Sequence, residues 1–428
     1  MTRPEAGSPP DGYDPFDPEV RNDPFEFFRQ FQAGCPVNHY VYTDADLAWS
    51  SRNPMVSRPT ADFYQVFDHA DIVHILQNHE LFSSRQGTGP ERADPPNGVG
   101  MLIFADPPHH TQQRKIVNKA LTPRLVGMME PRITEIADGL VDGFVGAGRV
   151  DIAAVYCEPL PSMVFAGILG VPVTDVATFK RWADEITAGF GGDHEAHERA
   201  LMAMDELSVY FGKLVAARRA GLDAGEPPPD DLLTALITSD YDGRRFDDVE
   251  MILALHILVA GGNETTGSAL VNGIYQLCTH PEQLERLRVD RSLLPAAVEE
   301  ILRFESSPQC QFRTNNTPVE IAGVPIPADS KIAMMYGAGN RDPKVFSRPQ
   351  EFDITRDIRE IRQHLSFGKG IHACVGMALA RAQLRIGLQV LLDRLPGMRL
   401  DTEAAAQRYS TILVRRFSRL TLAWDIPQ

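Results

Sequence analysis

Cys374 lies in the stretch HLSFGKGIHACVGMALAR, residues 364–381. Gly368, Gly370 and Gly376 surround it, and glycines let a backbone adopt dihedrals closed to other residues and approach a flat ligand closely. A helical pattern, VGMALARAQLRIGL, begins directly after the cysteine. The free N–H groups and positive dipole end of such a helix stabilise a thiolate. A thiolate held there is a nucleophile or a metal ligand. Zinc is a poor fit, because Cys-x-His is one pair and not a tetrad. Three further stretches carry candidate chemistry. In AAVEEILRFESSP, Glu300 and Arg303 stand at i and i+3, a spacing that suits a salt bridge on one helix face. In ADPPHHTQQRKIVNKAL, Asp106, Pro107 and Pro108 open a helix that puts His110 and Arg114 one turn apart on one side. In LVAGGNETTGSAL, residues 258–270, Gly261 and Gly262 interrupt an apolar helical pattern that runs on past them. Two glycines cost about 1–2 kcal/mol against alanine in a helix interior. A helix that keeps them there has something pressed against it.

The elements that must position these residues are mostly helical. Apolar residues recur at helical spacing in DIVHILQNHELF, RITEIADGLVDGFV, DELSVYFGKLVAARRA and QLRIGLQVLLDRL. Shorter strand-like runs, FYQVF, VEIAGVPIP, KIAMMY and RLTLAWD, lie towards the two ends. Together they predict one large domain over residues 21–428, mainly α with small β-sheets. The Pro/Gly-rich opening, residues 1–20, reads as a flexible arm and not a signal peptide. LDAGEPPPDD, residues 222–231, is expected to be a surface loop. The chain has 428 residues, 43% of them hydrophobic, which suffices for a sizeable core. Its net charge of −15 lacks the basic footprint that nucleic acid requires. Five cysteines without a CxxC spacing argue against a disulfide framework and for a reducing compartment. The longest apolar run, residues 251–262, is too short to cross a bilayer. A cytoplasmic protein without a membrane anchor is expected.

The window F-x-x-G-x-H-x-C-x-G, here Phe367, Gly370, His372, Cys374 and Gly376, resembles the haem-thiolate loop of the cytochromes P450. The match spans ten residues, and the likeness extends from about residue 20 to the end of the chain. It implies the triangular-prism fold of that family and haem b (iron protoporphyrin IX) as cofactor. Cys374 would be the proximal iron ligand, with Phe367 and Gly368 against the sulfur and cofactor. The resemblance makes Glu300 and Arg303 a buried structural anchor. The basic residue that usually completes it is replaced by Glu351, which leaves Arg348 or Arg341 as candidates. D-P-P-x-H-x-x-x-R implies that His110 and Arg114 hold haem propionates, joined by Arg313 and His372. His109 is given no role. The glycine-interrupted helix resembles the family's long central helix, locally opened beside the iron. Gly261 and Gly262 would make room for dioxygen, and Glu264 and Thr265 would form the acid–alcohol pair that delivers protons. Thr266 would be a neighbour facing the helix.

That intact pair implies an oxygen-dependent monooxygenase, fed by a separate ferredoxin and an NAD(P)H-dependent ferredoxin reductase, and acting as a monomer. Nine basic residues against five acidic ones between 341 and 385 would present a positive face to an acidic redoxin. By family position the pocket walls are RQGTGPERADPPNGVGMLIF, ITAGFGGDHEAH, SSPQCQF, STILVRRF and the central helix. Met101, Leu102, Ile257, Gly261, Ile412 and Leu413 would make it apolar, with Gln309 or Gln311 offering an amide. A small to medium hydrophobic substrate follows. The alternative is a haem-thiolate sensor without turnover, which would not need Glu264 and Thr265.

Overall fold

The molecule is organised around a helix of 32 residues, Asp248–Thr279. Its start is fixed by a reciprocal cap: Asp247 accepts the Glu250 N–H, and Glu250 accepts the Asp247 N–H. At 1.5 Å per residue such a helix runs roughly 48 Å. That is long enough to carry residues from one surface of the protein past the core to another. The computed structural model describes residues 9–41, 62–90, 92, 100–189 and 194–426.

Helices Pro159–Ile168 and Met377–Arg394 pack directly on the central helix, with Leu294–Phe304 behind them. Their shared apolar faces form the main core, which includes Leu160, Val164, Leu258, Leu270, Ile274, Ile301 and Leu384. The helix Val176–Gly189 and the long His194–Asp223 lie across it. Asp223 ends the latter, and the Pro-rich stretch that follows is an exposed loop, as its composition predicts.

A five-stranded sheet flanks the helices. Its strands are β1 (Val37–Tyr40), β2 (Phe63–Val66), β3 (Phe82–Ser83), β4 (Cys310–Asn315) and β5 (Lys331–Met335), in the order β1-β2-β5-β4-β3. All pairs are antiparallel except β2 with β5. A second sheet ties the chain end back to the middle by pairing Thr421–Ala423 with Arg149–Asp151 and Arg399–Leu400. Mainly helical architecture with small sheets is therefore what the residues build.

The amino-terminal segment departs from expectation. Residues 1–8 lie outside the described residues, but from Tyr13 onward the chain is packed and not a loose arm. Phe16 is buried, and its ring meets Tyr40 and Phe63 edge-on at 5.3 and 6.2 Å. Tyr13 sits 4.9 Å from Phe31, and its hydroxyl accepts the Gln65 amide. Two aromatic anchors outweigh the Pro/Gly composition around them. No helix among the described residues is long and apolar enough to cross a membrane.

Candidate active site

The cysteine loop is shaped by two left-handed glycines, Gly368 at φ 62° and Gly370 at φ 69°. A Cβ on Gly370 would stand 2.2 Å from the Leu76 carbonyl oxygen, so only glycine allows the loop to lie against that helix end. Cys374 donates its N–H to the Phe367 carbonyl at 2.8 Å. Its sulfur faces the N–H of Gly376, the residue that caps helix Met377–Arg394. Burial pushes the thiol pKa up, against the opposing pull of the Gly376 N–H, Arg114 and Arg381. A thiol kept protonated by burial is a poor free nucleophile. It ionises readily once a metal ion competes for its lone pairs.

Across one cavity from Cys374 stands the central helix, contributing Gly261, Gly262, Thr265, Thr266 and Ala269 to the wall. The two glycines serve different ends. A Cβ on Gly262 would strike the Phe165 ring at 2.3 Å, so Gly262 is there for packing. One on Gly261 meets nothing within 4 Å, so only Gly261 faces free space. The expected local opening of the helix is not seen: helical structure is continuous through Asn263 and Glu264. Thr265 donates its hydroxyl to the Gly261 carbonyl at 2.7 Å, which occupies that carbonyl without breaking the helix.

Glu264 points elsewhere. It lines a separate polar chamber with Asn263, Ser268, Glu158, Asp184 and Arg416. Both amide atoms of Asn263 and the Ser268 hydroxyl are buried there without a protein partner, the usual mark of a place for water. Arg416 donates to Glu158 at 2.5 Å. Burial raises the Glu264 pKa, opposed by Arg416 and reinforced by Glu158. Thr265 in the cavity and Glu264 in the chamber are adjacent in sequence but open to different spaces.

The cavity rim is cationic. Arg114 donates to the Ala373 carbonyl at 2.5 Å and Arg313 to the Phe312 carbonyl at 2.9 Å. Neither has a carboxylate within ion-pair distance among the described residues, and Arg313 is buried. The nearest acid, Asp106, is engaged by Ser83 and Ser84. The His110 and His372 rings lie 4.1 Å apart, tilted by 46°. Burial lowers both pKa values, to about 4 and about 2, helped most by Arg114 for the first and by Arg313 for the second. Both rings are thus neutral hydrogen-bonding groups at neutral pH. His372 shares a 3.0 Å bond with the Ser84 hydroxyl, and His110 Nδ1 is buried without a partner. Tyr336 also lines the cavity, with its buried hydroxyl unpartnered. Sequence reading missed it, since nothing in KIAMMY marks the tyrosine as more than a strand residue. Two guanidiniums without counterions and two orphan polar atoms call for an anionic ligand. With a sulfur and apolar walls besides, these residues fit haem b.

Leu102, Ile257 and Gln311 line the cavity as expected, with Ile103, Phe165 and Leu258. Met101, Gln309, Ile412 and Leu413 do not. Leu102, at φ 46°, lines the cavity as well as joining the core, while Met101 is in the core alone. Gln309 spends its amide on the Ser306 carbonyl at 2.6 Å, and its backbone N–H on the Leu413 carbonyl at 2.8 Å. Ile412 packs instead in a small cleft with Tyr13, Phe28 and Met335. Residues 93–99 and 190–193, within the expected pocket loops, lie outside the described residues.

Behind the loop, Arg303 holds Glu300 in a bidentate pair, with both N–O distances 2.7 Å and both residues fully buried. The third member is neither Arg348 nor Arg341. It is Arg356, whose Nε lies 3.4 Å from Glu300. Arg348 is exposed and pairs with Glu351 and Asp353, while the Arg341 guanidinium lies 3.4 Å from the Phe25 ring centre and 3.8 Å from that of Phe304. Losing one member of such a buried cluster costs about 3–5 kcal/mol. Arg356→Ala should therefore lower the urea midpoint strongly, while Arg348→Ala should leave it in place. Equal midpoints in the two variants would remove Arg356 from the anchor. Burial of Arg341 and Arg356 also trims the expected positive face, and burial of Asp342 offsets part of that loss.

A cysteine thiol, a cationic rim and a glycine-bearing helix across one cavity are the parts that a haem-thiolate site needs. The family model for Cytochrome P450 matches residues 190–396. The chain is 39% identical to the cytochrome P450 monooxygenase PikC of Streptomyces venezuelae over 328 residues, 76% of either chain. It is 41% identical to 6-deoxyerythronolide B hydroxylase of Saccharopolyspora erythraea, over 70% of this chain and 72% of that one. The crystal structure of CYP109E1 from Bacillus megaterium with testosterone superposes with a TM-score of 0.81 at 29% identity, covering 94% of this chain and 100% of the other. The chain belongs to the cytochrome P450 family. It is a haem b monooxygenase.

Proposed function

We propose that this monooxygenase hydroxylates a hydrophobic molecule of about steroid size, drawing electrons from a ferredoxin and an NAD(P)H-dependent ferredoxin reductase. The observation that carries the reading is the single cavity shared by Cys374, Gly261 and Thr265. Haem b, when bound, supplies the activation of dioxygen. Cys374 would hold its iron, and Arg114, Arg313, His110 and His372 its carboxylates. Leu102, Ile103, Phe165 and Ile257 exclude water and orient an apolar substrate, and Gln311 offers one polar contact. Thr265 places a hydroxyl where a proton is needed. Glu264 draws protons from the polar chamber and passes them across the helix. A sensor would have no use for a chamber of orphan polar groups around an acid.

The size of the substrate is supported by two relatives, one named for 6-deoxyerythronolide B and one solved with testosterone. A redoxin partner is supported by surface charge. Lys344, Arg348, Arg359, Arg362, Lys369, Arg381 and Arg385 remain outside the core between 341 and 385, against Glu351, Asp353, Asp357 and Glu360. The test is reconstitution with a ferredoxin pair and a panel of steroids and terpenoids. Oxidised product from at least one compound that shifts the ferric spectrum is expected. Spectral shifts throughout without any product would favour the sensor.

Carboxylate binding at the rim makes a separate prediction. Arg114→Ala should release haem to apomyoglobin at least tenfold faster than Arg359→Ala, whose side chain is 89% exposed. Equal release rates would take Arg114 out of cofactor binding.

A further inference from the structure

Glu299 precedes the anchor glutamate and does something different. It is buried, yet it receives three hydrogen bonds. Arg381 donates Nε to one carboxylate oxygen at 2.5 Å and Nη2 to the other at 3.0 Å, and His364 Nε2 lies 3.1 Å from the second. The tautomer of His364 follows from its other nitrogen: Nδ1 accepts the Ser366 N–H at 3.2 Å, so Nε2 carries the proton and donates to Glu299. Burial pushes the Glu299 carboxyl up, but the bonds from His364 and Arg381 outweigh it and hold the pKa at about 2. Burial likewise lowers the His364 pKa against the pull of Glu299. Glu299 is therefore ionised, His364 neutral and Arg381 cationic. The three groups sum to no net charge.

The cluster abuts the ring of Phe367. The Arg381 guanidinium lies 4.7 Å from the ring centre, and the His364 ring 5.6 Å from it. Phe367 also lines the cavity, and its carbonyl takes the Cys374 N–H. A cation stacked on an aromatic ring contributes orientation as well as attraction, on the order of 0.5–2 kcal/mol. The cation stacked on Phe367 is thus held, and largely offset, by the buried Glu299 carboxylate.

We infer that Glu299, His364 and Arg381 are positioning residues that clamp Phe367 over the sulfur, and that Glu299, by balancing Arg381, sets the reduction potential of the haem iron held by Cys374. This rests on the proposed ligation by Cys374. The physical reason is that iron reduction adds negative charge beside the thiolate, and an unbalanced cation there favours the reduced form.

Glu299→Gln keeps the shape and one acceptor oxygen but removes the anion. Its potential should move to more positive values, by more than that of Asp357→Asn on the exposed surface. The double variant Glu299→Gln/Arg381→Met removes both charges together and should return close to the wild-type value. Replacing a buried pair by neutral groups of similar size is tolerated far better than removing one partner, so the double variant keeps the test open if a single change folds poorly. Arg381→Lys retains charge without the planar stack, and should keep the potential nearer to wild type than Glu299→Gln does. The proposal is overturned if Glu299→Gln leaves the potential where it was, or if the double variant does not reverse its shift. Failure of the underlying ligation is distinguishable, because wild-type protein would then lack a thiolate-type reduced carbon-monoxide spectrum. Failure of the clamp alone would leave that spectrum intact in every variant.

Discussion

Thr265→Ala is expected to keep the ferric spectrum and its shift with substrate while losing most of the product formed per NAD(P)H, with peroxide released instead. The hydroxyl gives its proton to the Gly261 carbonyl at 2.7 Å, which leaves its lone pairs facing the cavity to hold a water. Alanine removes that acceptor and keeps the helix, since the backbone bonds do not depend on the side chain. Thr265→Ser should restore coupling. Glu264→Gln should act differently, because Glu264 opens on the polar chamber and not on the cavity. It should slow NAD(P)H consumption itself, by roughly a hundredfold if it is the general acid. The pH dependence gives the sign. Burial raises the Glu264 pKa, so the donor form persists above the ordinary carboxyl range and is lost as pH rises through the shifted value. Arg416, Glu158 and Tyr409 are the charged or titratable groups coupled to it, and Asp184 lines the same chamber. Turnover should fall along that limb in wild type and stay flat in Glu264→Gln. Undiminished product per NAD(P)H in Thr265→Ala would remove the threonine from the mechanism.

What was legible in the sequence was local. The cysteine loop, the Glu300–Arg303 pair and the His110–Arg114 pair each lie within one short window. Spacing alone therefore decides which side chains share a face. Contacts that close over long separations were not legible. Arg356 reaches Glu300 across the whole β4–β5 region, and no spacing rule selects it over Arg348, which lies eight residues earlier and is exposed. The Glu299–Arg381 pair spans 82 positions, so its two halves read as unrelated helix residues. Backbone detail hid the rest. Leu102, at a positive φ, lines the cavity and its neighbour Met101 does not, a split that hydrophobicity cannot foresee. Gly261 and Gly262 read alike in sequence, and only Phe165, brought in from another helix, tells them apart. Tyr13 and Phe16 show the converse, where two aromatic rings anchor a segment whose composition suggests disorder.

The central claim is that Cys374 is the thiolate that holds the haem iron. The alternatives within the chain are few: Cys157 and Cys310 are buried away from the cavity, and burial pushes their thiols well up in pKa without a helix-start N–H to offset it. Cys35 and Cys278 do not line the cavity either. Cys374→Ser should still fold, since serine occupies less space and the loop is shaped by Gly368 and Gly370. The deciding measurement is the absorption spectrum of the reduced, carbon-monoxide-bound protein, taken for wild type and Cys374→Ser side by side. Wild type should show the thiolate-type Soret band and form product, and the serine variant should show neither. A serine variant that keeps the thiolate-type band would contradict the assignment outright.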